Sequence, residues 1–126
     1  MSISTTKKVL IIDDEEGVRE SLKLILSDHY DLAVAENGEL GLEILKNAKD
    51  VGVVLMDIKM PKKSGLDILK VMHAKYPPLK IIIVTGYKSV ETAQEAVRLG
   101  ASGYIVKPFK SEEILSTVGK YIKEAK

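Results

Sequence analysis

The side chains able to do chemistry stand at the ends of apolar runs. Asp13 and Asp14 follow Val9-Leu10-Ile11-Ile12, with Glu15 and Glu16 behind them. Asp57 follows Val53-Val54-Leu55-Met56, Thr85-Gly86 follows Ile81-Ile82-Ile83-Val84, and Lys107-Pro108 follows Tyr104-Ile105-Val106. Continuous rather than alternating hydrophobicity marks strands buried on both faces. In an open α/β sheet the carboxyl ends of such strands form the ligand crevice. Three carboxylates in one crevice repel each other, so protons or a cation must sit among them. All-oxygen donors suit a hard ion. Mg²⁺ fits best, because it keeps waters that substrate oxygens can replace, and Mn²⁺ should substitute. A phosphoryl group in the same crevice would spread negative charge over three oxygens. One can go to the metal, one to Lys107, and one to the Thr85 hydroxyl with nearby backbone N–H groups. Asp57 is then left to attack in line and form an acyl phosphate.

Bringing these ends together requires strands and helices that alternate. Glu15 to Ser27 puts Val18, Leu22, Ile25 and Leu26 on one helical face. Asp31 to Ala35 is a weaker strand, and Leu40, Ile44 and Leu45 mark a helix that starts near Gly38. After Asp57, Ser64 and Asp67 form a capping box; Leu66, Leu69 and Met72 face inward; Pro77-Pro78 end the helix. Ser89 opens a helix with Val90, Ala93 and Val97 inward, closed by Gly100 as a left-handed cap. Ser111, with Glu112 and Glu113 behind it, starts a last helix with a stripe of Ile114, Leu115, Val118, Tyr121 and Ile122. Residues 123–126 read as its frayed end. Strict alternation predicts an α/β fold, a parallel sheet between two layers of helices with right-handed crossovers. The mixed second strand belongs at an edge, which gives the order 2-1-3-4-5.

Each residue alone has an ordinary explanation. Asp13 and Asp14 could cap a helix. Asp57 and Thr85-Gly86 could be turn residues, Lys107 a solvated charge and Tyr104 a core aromatic. The specific signal is the set: acids after strands one and three, Thr after four, Lys-Pro after five. His29 and His73 sit among polar helix-end residues and are assigned no role.

The 126 residues suit one domain spanning 1–126, and 45% hydrophobic with 29% charged residues is an ordinary globular composition. Nineteen basic and 18 acidic residues leave a formal charge of +1, which argues against direct nucleic-acid or anionic-membrane binding. With no cysteine there is no disulfide framework or thiolate nucleophile, which fits a cytoplasmic protein. Residues 1–8 lack the apolar core of a signal peptide.

The motifs IIDDE at 11–15, LMDIKMPKKSG at 55–65, IIIVTGY at 81–87 and GYIVKPF at 103–109 resemble the receiver domain of bacterial two-component response regulators. The resemblance runs from about Lys7 to Ile122, and the stretch 85–109 is most similar to receivers of nitrogen-regulation-type transcriptional activators. It implies a doubly wound, flavodoxin-like (βα)5 three-layer sandwich. It implies that Asp57 takes phosphate from a histidine kinase's phosphohistidine or from a phosphotransfer protein. Asp14, Asp57 and the Lys59 carbonyl would ligate Mg²⁺, with Asp13 acting through water. Lys107 would contact the phosphoryl group and join Pro108 by a cis bond. Thr85 and Tyr104 would be a switch pair that alters the face of helix 89–99, strand five and helix 111–125. The polar exterior of helix 89–99 would allow a phosphorylation-dependent homodimer there. Lys59 and Tyr87, each two past a key residue, are expected to shield the acyl phosphate from water. The chain would catalyse only its own phosphorylation and dephosphorylation. Two alternatives fit less well. An aspartyl phosphatase wants a second acid at position 59, which is Lys. A flavin-binding fold wants an anion-friendly loop after strand one, where four acids stand.

Overall fold

A computed structural model describes residues 7–59 and 64–124. Met60 to Lys63 of the LMDIKMPKKSG motif, residues 1–6, and Ala125-Lys126 of the expected frayed end lie outside the described residues. Five parallel strands, β1 (Lys8–Ile12), β2 (Leu32–Ala35), β3 (Val51–Met56), β4 (Lys80–Thr85) and β5 (Gly103–Val106), form one sheet. Their order is β2-β1-β3-β4-β5, the order read from the sequence. Among the described residues five helices alternate with them: α1 (Glu16–Leu26), α2 (Gly38–Asn47), α3 (Gly65–Lys75), α4 (Val90–Arg98) and α5 (Ser111–Glu124).

The period of two along each strand sorts the core into two layers. Val9, Ile11, Val53, Leu55, Ile82, Val84 and Ile105 pack toward α1 and α5, through Leu22, Leu26, Ile114 and Val118. Leu10, Ile12, Val54, Met56, Ile81 and Ile83 pack toward α2, α3 and α4, through Leu45, Ile68, Leu69, Met72 and Ala96. Each such aliphatic side chain contributes roughly 1.5–3 kcal/mol on burial. Surface ion pairs contribute up to about 1 kcal/mol each, so the sheet and its two coverings dominate stability.

The helices carry their polarity in sequence. Each has an acid in its first turn (Glu16, Glu39, Asp67, Glu91, Glu112) and a base in its last (Lys23, Lys46, Lys75, Arg98, Lys123). Both placements oppose the helix dipole favourably. Asn37, Ser64 and Ser89 cap α2, α3 and α4 by accepting from Leu40, Leu66 and Thr92 N–H. The Ser64 hydroxyl takes the Leu66 N–H at 3.2 Å, while Asp67 N–H goes to the Ser64 carbonyl at 3.0 Å, so the hydroxyl caps the helix as expected but does not make the bond to Asp67 N–H that a capping box needs. Gly100 closes α4 with φ +116°, a left-handed backbone that favours glycine.

Two sequence readings are corrected. Val90 and Val97 do not face inward on α4; they are 69% and 59% exposed, and the buried residue is Ala96. A small residue lets the helix approach the sheet closely, which leaves the valines outside. Likewise α2 turns Gly38, Gly41 and Leu45 inward, and Leu40 is exposed. Side chains of Ile68 and Ile12 occupy the space that a Cβ would fill at Gly38 and Gly41.

Candidate functional site

The strand register assembles the site. Ile12 pairs with Met56 across β1 and β3, so the residue after each lies on one rim. Asp57 N–H donates to the Ile12 carbonyl at 3.1 Å, which fixes Asp57 beside Asp13. Thr85 pairs with Val106 across β4 and β5, and Lys107 N–H donates to the Thr85 carbonyl at 2.8 Å. The Lys107–Pro108 peptide bond is cis.

Lys107 Nζ donates to Asp57 Oδ2 at 2.8 Å and to Asp13 Oδ2 at 2.9 Å, and lies 3.5 Å from Glu15 Oε1. Asp13 and Asp57 are buried, at 2% and 4% exposure, whereas Asp14 faces solvent. The remaining carboxylate oxygens are held by backbone: Asp57 Oδ1 accepts from Lys59 N–H at 2.8 Å, and Asp13 Oδ1 from Glu15 N–H at 2.9 Å. Two buried acids thus share one ammonium. Burial raises the Asp13 carboxyl above its ordinary 3.8 and the Asp57 charge adds to this, against the Glu15 N–H and Lys107 bonds. For Lys107, burial disfavours the charge, but the hydrogen bonds to Asp57 and Asp13 and their charges outweigh it, so its pKa is raised. Lys107 is therefore a fixed cation at any ordinary pH.

The donor chemistry fits a hard divalent ion. Asp13, Asp14 and Asp57 each offer one carboxylate oxygen, all within 4.8 Å of one another. One ammonium cannot neutralise three carboxylates, so the cluster gains from a further positive charge. The set is all oxygen, as Mg²⁺ prefers.

The switch candidates meet at Tyr87 rather than at the acids. Thr85 is fully buried, and its Oγ1 accepts from Tyr87 N–H at 3.4 Å. The Tyr104 hydroxyl donates to the Tyr87 carbonyl at 2.9 Å. Partial burial, with the Asp57 charge, raises the Tyr104 pKa above 10.0. Lys59 Nζ lies 5.9 Å from the centre of the Tyr87 ring. The structure thus brings Asp13, Asp14, Asp57 and Lys107 together directly, and links Thr85, Tyr104 and Lys59 through Tyr87.

Two residues were missed. Glu15 joins the acids around Lys107, and Arg19 Nη1 donates to the Asp13 carbonyl at 2.8 Å. A signal for Arg19 existed: an arginine beside Val18 sits at the edge of the inward face of α1.

A buried acid pair around a lysine, on the carboxyl rim of a 2-1-3-4-5 sheet, defines a class. The chain belongs to the response regulator receiver domain family, whose family model matches residues 9–119. It is a receiver domain of two-component systems. It is 39% identical over 110 residues to a putative NtrX-like response regulator of Rickettsia bellii, covering 85% of this chain and 23% of that protein. It is 35% identical over 117 residues to sporulation initiation phosphotransferase F of Bacillus subtilis, covering 92% and 94%. A receiver domain protein (CheY-like) from Methanospirillum hungatei has a similar structure, with TM-score 0.89 and 32% identity over 95% of this chain and 96% of that one. The chain spans about a quarter of the length of the NtrX-like relative. Among the described residues no helix is long and apolar enough to cross a membrane.

Proposed function

We propose that Asp57 accepts a phosphoryl group from the phosphohistidine of a histidine kinase or phosphotransfer protein, and that residues 1–126 act as one receiver domain in the cytoplasm. The observation that carries this is the 2.8 Å contact between Lys107 Nζ and the buried Asp57 carboxylate. A carboxylate oxygen of Asp57 bonds to phosphorus, the phosphorus–nitrogen bond of the donor imidazole breaks, and that nitrogen takes up a proton. Asp14, Asp57 and the Lys59 carbonyl would hold Mg²⁺, with Asp13 acting through water; the ion supplies positive charge to the phosphoryl oxygens. Lys107, already fixed beside Asp57, neutralises a second oxygen without rearrangement. The Thr85 hydroxyl donates a hydrogen bond to a third. The chain thereby catalyses only its own phosphorylation and dephosphorylation.

The switch runs through Tyr87. Its N–H is bonded to Thr85 and its carbonyl to Tyr104, so a shift of Thr85 toward new phosphoryl oxygens pulls on the segment that holds Tyr104. That alters the α4–β5–α5 face, where exposed Val90 and Val97 border Tyr104 and Val106. This face meets an output partner or a second phosphorylated copy. Lys59 and Tyr87 cover the acyl phosphate and slow its hydrolysis. The test is incubation with a small phosphodonor and Mg²⁺, followed by intact mass. A single phosphoryl adduct, absent in Asp57→Asn and without Mg²⁺, supports the reading. No adduct on the wild-type chain overturns it.

A further inference from the structure

The loop that carries Asp13 and Asp14 is fixed by an unusual device. α1 follows this loop directly, yet its N-cap residue, Glu15, makes no side-chain cap hydrogen bond. The helix start therefore lacks the local bond that holds α2, α3 and α4. Asp13 is instead gripped at every polar group. Its N–H donates to the Ala35 carbonyl at 3.2 Å, Oδ1 accepts from Glu15 N–H, and Oδ2 accepts from Lys107. The fourth grip is Arg19, whose Nη1 donates to the Asp13 carbonyl at 2.8 Å. Asp14 faces solvent and hangs from that same carbonyl.

We propose that Arg19 is a positioning residue for divalent-cation binding. It straps the first turn of α1 back onto the Asp13–Asp14 peptide, and so holds both carboxylates at the spacing a cation needs relative to Asp57. This rests on the reading of the three aspartates as an Mg²⁺ site. The geometry gives Arg19 no contact with the cation. Its effect is transmitted through the backbone bond that joins the two acids. Two opposite influences are possible for a guanidinium here. Its charge repels an incoming cation, whereas its hydrogen bond preorganises the ligands. A 2.8 Å bond from a charged donor to a carbonyl, on a loop with no side-chain cap, makes preorganisation the larger of the two.

Isothermal calorimetry with MgCl₂ on the unphosphorylated chain separates these influences. Arg19→Met removes the charge and the donor while keeping much of the length. Its Mg²⁺ affinity is expected to fall roughly tenfold, the lower end of the loss when a partner that orients metal ligands is removed. Arg19→Lys keeps a donor of similar reach and should stay within about threefold of wild type. Arg98, the other arginine, pairs with Glu95 on the surface, and Arg98→Met should leave affinity unchanged. Thermal melts in EDTA check folding. Should Arg19→Met not melt cooperatively, Arg19→Gln, with a shorter donor, takes its place and the same tenfold loss is expected. Unchanged or tighter binding in the Met variant, or equal losses in Lys and Met, overturns the positioning role. Absent Mg²⁺ binding by the wild-type chain instead overturns the cation site itself.

Discussion

Gly65→Ala is the sharpest test of how the loop after Asp57 is built. Gly65 opens α3 against the backbone of Ile58, the residue after Asp57. A Cβ at Gly65 would lie 2.2 Å from Ile58 Cα and 2.9 Å from both its carbonyl carbon and Cβ. Carbon atoms pack favourably from about 3.5 Å, so α3 must retreat by roughly 1 Å. The neighbour is backbone and cannot rotate aside. The retreat also weakens the 3.1 Å bond from Gly65 N–H to the Ile58 carbonyl. Overpacking of this kind costs about 1–3 kcal/mol, and the hydrogen bond adds about 1 kcal/mol. The expected loss is about 2–4 kcal/mol, or a drop in Tm of about 8–16 °C at about 4 °C per kcal/mol for a domain of this size. Urea denaturation and a thermal melt measure it. Any part of the clash relieved instead by moving Ile58 shifts Asp57 against Lys107, and a misplacement of about 1 Å can lower a rate on the order of a hundredfold. Phosphoryl uptake from a small donor should fall accordingly. The control is Gly17→Ala in α1, where a Cβ meets nothing within 4 Å; that change should stabilise by about 0.5 kcal/mol. A Gly65→Ala protein within about 0.5 kcal/mol of wild type would refute the reasoning.

Other outcomes follow from the same geometry. The Asp13 carboxyl has its pKa raised chiefly by burial, so ionising it costs the folded state. Its stabilising contribution is complete below pH 3.8 and is lost as pH rises through the raised value. Metal-free Asp13→Asn should gain on wild type as pH rises through that range; urea titrations at a series of pH values read the gap, and a gap that narrows speaks against the assignment. Lys59→Asn and Tyr87→Ala should each shorten the acyl phosphate lifetime by about two- to fivefold, since an exposed cation–π contact is worth about 0.5–1 kcal/mol; equal decay rates by mass spectrometry would dismiss shielding. Val97→Ser should change stability by less than about 0.5 kcal/mol, whereas Ala96→Leu at the buried face of α4 should cost about 1–3 kcal/mol. A larger loss for Val97→Ser would restore the inward reading of that valine.

The strands and the rim were legible because burial on both faces leaves a plain mark. Val53 to Met56 carry no polar residue, and the first charge after them must be at the strand end. Once β1 and β3 are neighbours, Asp13 and Asp57 have nowhere else to meet. The helix faces were less legible where small residues make the contact. In α4 the valines at 90 and 97 outweigh Ala96 in any hydrophobic count, yet close approach selects the alanine. Gly38 and Gly41 misled in the same way on α2. Long-range bonds left no periodic trace. The place of Arg19 beside Val18 marks its side of α1 but not its bond to the Asp13 carbonyl, and nothing in the spacing foretells that Tyr104 bonds to the backbone of Tyr87 rather than to a side chain.

The acid-first, base-last arrangement of all five helices has a consequence beyond their own stability. The helices run the same way, so their side-chain charges add along one axis, acidic at the rim of Asp57 and basic at the opposite end, and the aligned helix dipoles offset only part of it. A partner presenting a cationic face would be steered to that rim before it touches. Its capture slows as salt shortens the reach of the field, from about 30 Å at 0.01 M to about 8 Å at 0.15 M. A small anionic phosphodonor meets the same field as a barrier, and its reaction quickens with added salt.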